Sequence, residues 1–142
     1  MKTHLLGQLV LRYSWTLLFV WFGFQQLTAA QAWTSYLPPW TGYFPVPGEM
    51  LVQLNGLLEL CLAALLALGA YTRVVAGLLA VHLAMIAFSV GGAVGVRDAA
   101  LAATGFALMF LKPDAWTLDE RRKNVSASTP NEPPQTVPQH AP

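Results

Sequence analysis

MLVQLNGLLELCLAALLAL, residues Met50–Leu68, carries one charged side chain, Glu59, near its middle. An α-helix rises 1.5 Å per residue, so about 20 apolar residues cross the roughly 30 Å hydrocarbon core of a bilayer. A carboxylate at that depth is costly to hold in lipid. It turns toward the bundle interior, finds a partner, and by default marks a functional site. Three further apolar runs accompany this one, at Leu9–Leu27, Val74–Val90 and Val94–Leu111, and His82 sits near the middle of the second of these. The expected architecture is all-α, a four-helix transmembrane bundle with a polar centre.

Composition agrees with that class. Apolar residues make up 55% of the 142-residue chain and charged residues 11%, against about 25% charged in soluble domains. A net charge of +1 gives no general basic surface for nucleic acid. Residues 1–123 are expected to form the membrane domain, which leaves no room for a separate soluble enzyme domain. Residues 124–142, rich in Ser, Thr, Pro and Gln without apolar periodicity, are expected to be a disordered tail. The single cysteine, Cys61, has no internal disulfide partner and is expected to be a buried thiol acting as a small hydrophobe. The first span is too long and aromatic for a signal-peptide core and is expected to be retained.

Lysine and arginine set the orientation. With four spans, Lys2, Arg12, Arg73, Lys112, Arg121, Arg122 and Lys123 fall on one side and only Arg97 on the other. Both termini are therefore expected in the cytoplasm, in an integral protein of the bacterial cytoplasmic membrane. The loop after the first span is then external. It holds Trp33, Tyr36, Trp40, Tyr43 and Phe44 among four prolines, a composition suited to lying at the headgroup level. Small residues at Gly77, Ala80, Ala84, Ala87 and Gly91 recur at steps of three and four. They form a smooth face for close helix contact in lipid.

Helical rise places the polar residues by depth. Glu59 lies roughly 13 Å below the outer boundary and His82 roughly 12 Å above the inner one, near a common midplane. On the first span Arg12, Thr16, Phe19, Gly23 and Gln26 share one stripe. Two polar layers are predicted: a central one of Glu59 and His82, with Arg12 reaching in from the cytoplasmic side, and an outer one of Gln26, Asn55, Arg97 and Asp98. Glu59 and His82 are the candidates for proton exchange. The outer layer and Arg12 read either as a ligand or partner layer or as polar contacts that hold helices together. The histidines are too scattered for a metal site, and no phosphate-loop, dinucleotide-binding or Gly-x-Ser-x-Gly pattern is present.

Several short motifs in order resemble the DoxX family of small integral membrane proteins. They are Arg12 with Phe19-Val20-Trp21-Phe22-Gly23, then Gly56-Leu57-Leu58-Glu59, the Gly69-x-x-Thr72-Arg73 turn, and Val96-Arg97-Asp98. The resemblance spans approximately residues 9–112. It implies a four-helix membrane protein, with some relatives serving as membrane subunits of quinone-linked redox systems. The family often has a lysine after the first-helix glycine, where this chain has Gln26.

Three functions follow as expectations. The first is a membrane component of a redox assembly, an oxidoreductase subunit contacting a quinone, with a protein partner or a second copy beside it. The second is a non-catalytic anchor or assembly partner. The third is a small proton-coupled transporter, for which one set of four helices offers little alternating access. The topology is checked by reporter fusions at the C-terminus and within Tyr36–Val46, which should report opposite sides of the membrane. Signals from the same side would overturn it.

Overall fold

Lipid offers no hydrogen bonds to a free backbone, so each spanning segment must close its own as a helix. The computed structural model of the protein describes residues 2–112, 114 and 116–127. Its elements are α1 (Lys2–Thr28), a short α2 (Ala30–Trp33), 3₁₀ turns at Thr34–Tyr36 and Pro39–Tyr43, α3 (Gly48–Leu68), α4 (Thr72–Val90), α5 (Gly92–Phe110) and α6 (Leu118–Ala127). Helices α1, α3, α4 and α5 are long and apolar enough to cross a membrane. Their outer faces carry large apolar side chains, including Leu17, Trp21, Phe24, Leu57, Leu78 and Met85, and Phe88 is 96% exposed. Lipid is the solvent such a surface requires.

The bundle consists of two close pairs, α1 with α3 and α4 with α5. Between them lies a core of Trp15, Phe19, Ala63, Leu66, Leu79, Ala80, Leu83 and Ala102. Small residues set both pairings. A Cβ on Gly23 would stand 2.7 Å from the Gly56 carbonyl oxygen, and one on Gly56 would stand 2.8 Å from the Gly23 carbonyl oxygen. The backbones of α1 and α3 therefore meet at this point with nothing between them. In the second pair, the smooth face of α4 turns to α5, where a Cβ on Gly95 would meet the Ala87 carbonyl at 2.6 Å. The pairs are joined where the Trp15 ring covers Gly105 and its Nε1 donates to Thr104 Oγ1 at 2.9 Å.

The end of the bundle that holds the α3–α4 turn is closed by polar contacts that cross the chain. Helix α3 ends in a Schellman turn: Gly69 has φ 66°, and the Ala70 amide donates to the Leu65 carbonyl at 3.0 Å, which satisfies the last carbonyls. Thr117 packs so closely on Gly69 that a Cβ there would meet its Cβ at 2.6 Å. Asp119 of α6 accepts from the Tyr71 and Thr72 amides, both at 2.8 Å, and from the Thr72 hydroxyl at 3.0 Å. It therefore caps α4 from a distant segment, in the role a local side chain usually fills.

Two expectations change. The helix α6 runs through Ala127 and takes in the first four residues of the expected tail, 124–127, because Asp119 and Thr117 anchor its first turn. The remainder of that expected tail, residues 128–142, lies outside the described residues. Cys61 is exposed, so its apolar character serves the lipid-facing surface rather than the core.

Gly23→Val and Gly56→Val should each destabilise the bundle by about 1–3 kcal/mol through overpacking, read as a lowered melting temperature. Gly7→Ala, in the same first helix with nothing within 4 Å of its Cβ, should not lower the melting temperature and should raise it slightly through helix propensity. Asp119→Ala should remove a helix cap worth about 1 kcal/mol. Burial alone would raise the Asp119 carboxyl, but bonds from Thr72 and Tyr71, with Arg122 nearby, outweigh it and hold it below its ordinary 3.8. Its contribution is therefore complete above pH 3.8 and declines as the pH falls through the lowered value. Melting curves across that acid range should converge for the wild type and Asp119→Ala.

Candidate functional site

The glycine contact decides which polar residues meet. Asn55 and Glu59 flank Gly56 on α3, and Gln26 lies one turn beyond Gly23 on α1. Bringing the two glycines together therefore sets Gln26 beside both. Asn55 Nδ2 donates to Gln26 Oε1 at 2.8 Å and to Glu59 Oε1 at 3.0 Å, and Gln26 Nε2 donates to Glu59 Oε2 at 3.1 Å. This closed circuit uses both amide hydrogens of Asn55 and orients both amides. His82 completes it from α4, with Nε2 2.9 Å from Glu59 Oε1.

Burial grades the four members. Glu59 is 1% exposed and Gln26 is buried, while the His82 side chain is 22% exposed and Asn55 is partly buried. Phe19 lies on the α1 side of the imidazole, with ring centroids 6.4 Å apart. With Nε2 directed at Glu59, His82 Nδ1 makes no hydrogen bond to a described protein group. The imidazole therefore joins an enclosed carboxylate to a ring that is itself partly exposed. A proton received at one nitrogen can leave from the other. The cluster can bind a polar group, orient it and exchange a proton. It holds no redox group of its own.

The two predicted layers rearrange. Glu59 and His82 meet as the centre, but Gln26 and Asn55 leave the outer layer and join them. The reason is register: pairing Gly23 with Gly56 slides α1 along α3 until Gln26 lies level with Asn55 and Glu59. Arg12 does not reach the centre. Fourteen residues separate it from Gln26, about 21 Å of helix.

Arg12 instead caps the C-terminus of α3. Its Nη1 donates to the Leu66 and Ala67 carbonyls at 3.2 and 2.8 Å, a cation at the negative end of the helix dipole. Asp114 balances its charge, with Oδ2 3.1 Å from Arg12 Nε. That nitrogen is out of line for a hydrogen bond and has none, so the contact is an ion pair in which Nη2 makes the longer hydrogen bond to Oδ1 at 3.5 Å. Arg97 and Asp98 stay apart from these clusters as a pair of their own at 2.8 Å, with Asp98 buried and Arg97 exposed. Sequence reasoning gave no functional role to Asp114 or Asp119. The only signal for either was a carboxylate just beyond a span, close in depth to Arg12 and the α3–α4 turn.

Four lipid-facing helices around a buried amide–carboxylate–imidazole cluster define a small polytopic integral membrane protein. The chain matches the DoxX family model over residues 7–92 and belongs to the DoxX family. Neither a curated protein nor a solved structure matches the chain closely enough to be called similar. The matched residues hold every member of the Glu59 cluster. Arg97, Asp98, Asp114 and Asp119 lie beyond them.

Proposed function

We propose that this DoxX protein is the membrane component of a quinone-linked redox system, with Glu59 and His82 exchanging protons with the quinone. The observation that carries this reading is the two-ended imidazole: Nε2 rests 2.9 Å from a carboxylate that is 1% exposed, on a side chain that is itself partly exposed. The residues suit such a ligand. His82 would meet a quinone oxygen through Nδ1, and Glu59 behind it would supply or take the proton. Gln26 and Asn55 would hold the carboxylate in place through the change of charge. A bound quinone supplies the two-electron, two-proton chemistry that these side chains lack. Electrons would come from a partner chain. The excess of Lys and Arg at the end where Arg12 meets Asp114 supports placing that end in the cytoplasm.

A specific observation favours the anchor as a second reading. The carboxylate oxygens of Glu59 already meet three nitrogen groups across three helices, which ties α1, α3 and α4 together without chemistry. A surface cleft at the inner end and another between α4 and α5 are both lined by other residues.

The two readings part on Glu59→Gln and Glu59→Leu. In the redox reading Glu59→Gln inserts and melts like the wild type, but loses the thermal or spectral response to added quinone, and His82→Ala behaves alike. In the anchor reading Glu59→Gln keeps full cellular activity. Glu59→Leu then destabilises the bundle by about 1–3 kcal/mol, because it leaves Gln26, Asn55 and His82 without their shared acceptor.

A further inference from the structure

We infer that the inner end of the bundle binds the phosphate of an anionic phospholipid in a basic cleft between α4, the end of α5 and α6. The cleft has a volume of about 610 Å³ and is lined by Arg73, Lys112, Arg122 and Lys123 together with Tyr71 and Val74. Two carboxylates also line it, Asp119 and Glu120, and both are engaged. Asp119 accepts the amides that cap α4, and Glu120 pairs with Lys123 at 3.0 Å. Among the described residues Arg73, Lys112 and Arg122 form no ion pair. Four cations face two carboxylates in this lining, and Asp119 lies within reach of the Arg122 charge, so a net positive charge of two remains in a concave site.

Depth and shape select the occupant. Arg73 stands in the first turn of α4 and Lys112 two residues after α5 ends, so the cations lie where the apolar spans stop, at headgroup level. Guanidinium groups match phosphate oxygens in geometry, and basic pockets at the ends of membrane helices hold anionic headgroups. From Val74 an exposed apolar track continues along α4 through Leu78, Val81 and Met85, at steps of four, three and four. These eleven steps rise about 16 Å, close to half of the roughly 30 Å hydrocarbon core. The cleft and track together fit a charged head with an acyl chain in one leaflet. A soluble phosphate would use only the cleft. The inference stands apart from the proton-exchange reading, because Glu59 and His82 contribute nothing to it.

The full chain, purified in detergent and titrated with dioctanoyl phosphatidylglycerol, gives the bound fraction by native mass spectrometry. Phosphatidylglycerol should bind more tightly than dioctanoyl phosphatidylcholine. At about 1 kcal/mol per cation, Arg122→Gln should weaken it about fivefold, and Arg73→Gln with Arg122→Gln about 25- to 30-fold. Arg97→Gln, which removes the same charge at the opposite end, should leave it unchanged. Lys112→Gln supplies an independent cation should an arginine variant accumulate poorly, and it should also weaken binding about fivefold. Equal binding of the two lipids, or no loss in the cleft variants, would overturn the proposal. Full displacement of the lipid by an equal concentration of inorganic phosphate would assign the cleft to a soluble anion and overturn the lipid assignment.

Discussion

The close approach of α1 and α3 at Gly23 and Gly56 governs the rest of the structure. In lipid, apolar side chains gain nothing by leaving the solvent for one another, so helices associate where shape allows backbone contact and polar groups can bond. Two glycines facing each other create that contact, and it sets how far α1 slides along α3. The polar side chains follow from the slide. Gln26, Asn55 and Glu59 become one hydrogen-bonded set, and His82 can reach the carboxylate only because the α3–α4 turn brings α4 back beside it. A different register would have left Glu59 buried without its amide donors, a state that a bilayer tolerates poorly.

Around the α3–α4 turn the same requirement is met by other means. The last carbonyls of α3 are satisfied by Gly69 and Arg12, and the first amides of α4 by Asp119. The guanidinium of Arg12 is in turn balanced by Asp114. The segment after α5 thus does structural work on three helices, although its own composition is polar. The consequence for function is a division of the molecule: a central cluster with a partly exposed imidazole, and an end around the α3–α4 turn where the lining cations outnumber the carboxylates.

How far the sequence disclosed this depends on the kind of information each feature needed. The four spans were legible because run length and hydropathy alone decide whether a helix can cross a bilayer, and their bounds agree with the helices to within a few residues except at the start of α1. The pairing of Glu59 with His82 was legible from depth, since both sit near the midplane. The grouping of Gln26 and Asn55 with them was not, because it depends on the relative slide of two helices. Gly23 and Gly56 were visible as small residues, but nothing in either span names the other as its partner. The partners of Arg12 were hidden for the opposite reason. They lie more than fifty and one hundred residues away, and two are backbone carbonyls with no sequence signature. Cys61 was misplaced because an apolar neighbourhood in a membrane chain does not distinguish core from lipid.

The ion pair of Arg12 with Asp114 also has a place in time. The chain is made from its N-terminus, so the first helix meets the membrane carrying its arginine well before the aspartate 102 residues later has been synthesised. During that interval the adjoining Tyr13 is at hand for the guanidinium, and the carbonyls at the end of α3 can receive it once the second span has been inserted. Biogenesis of the bundle is therefore ordered by charge. A cation waits at the membrane boundary beside Tyr13, is then held by helix carbonyls, and acquires its counterion only after the fourth span has been made.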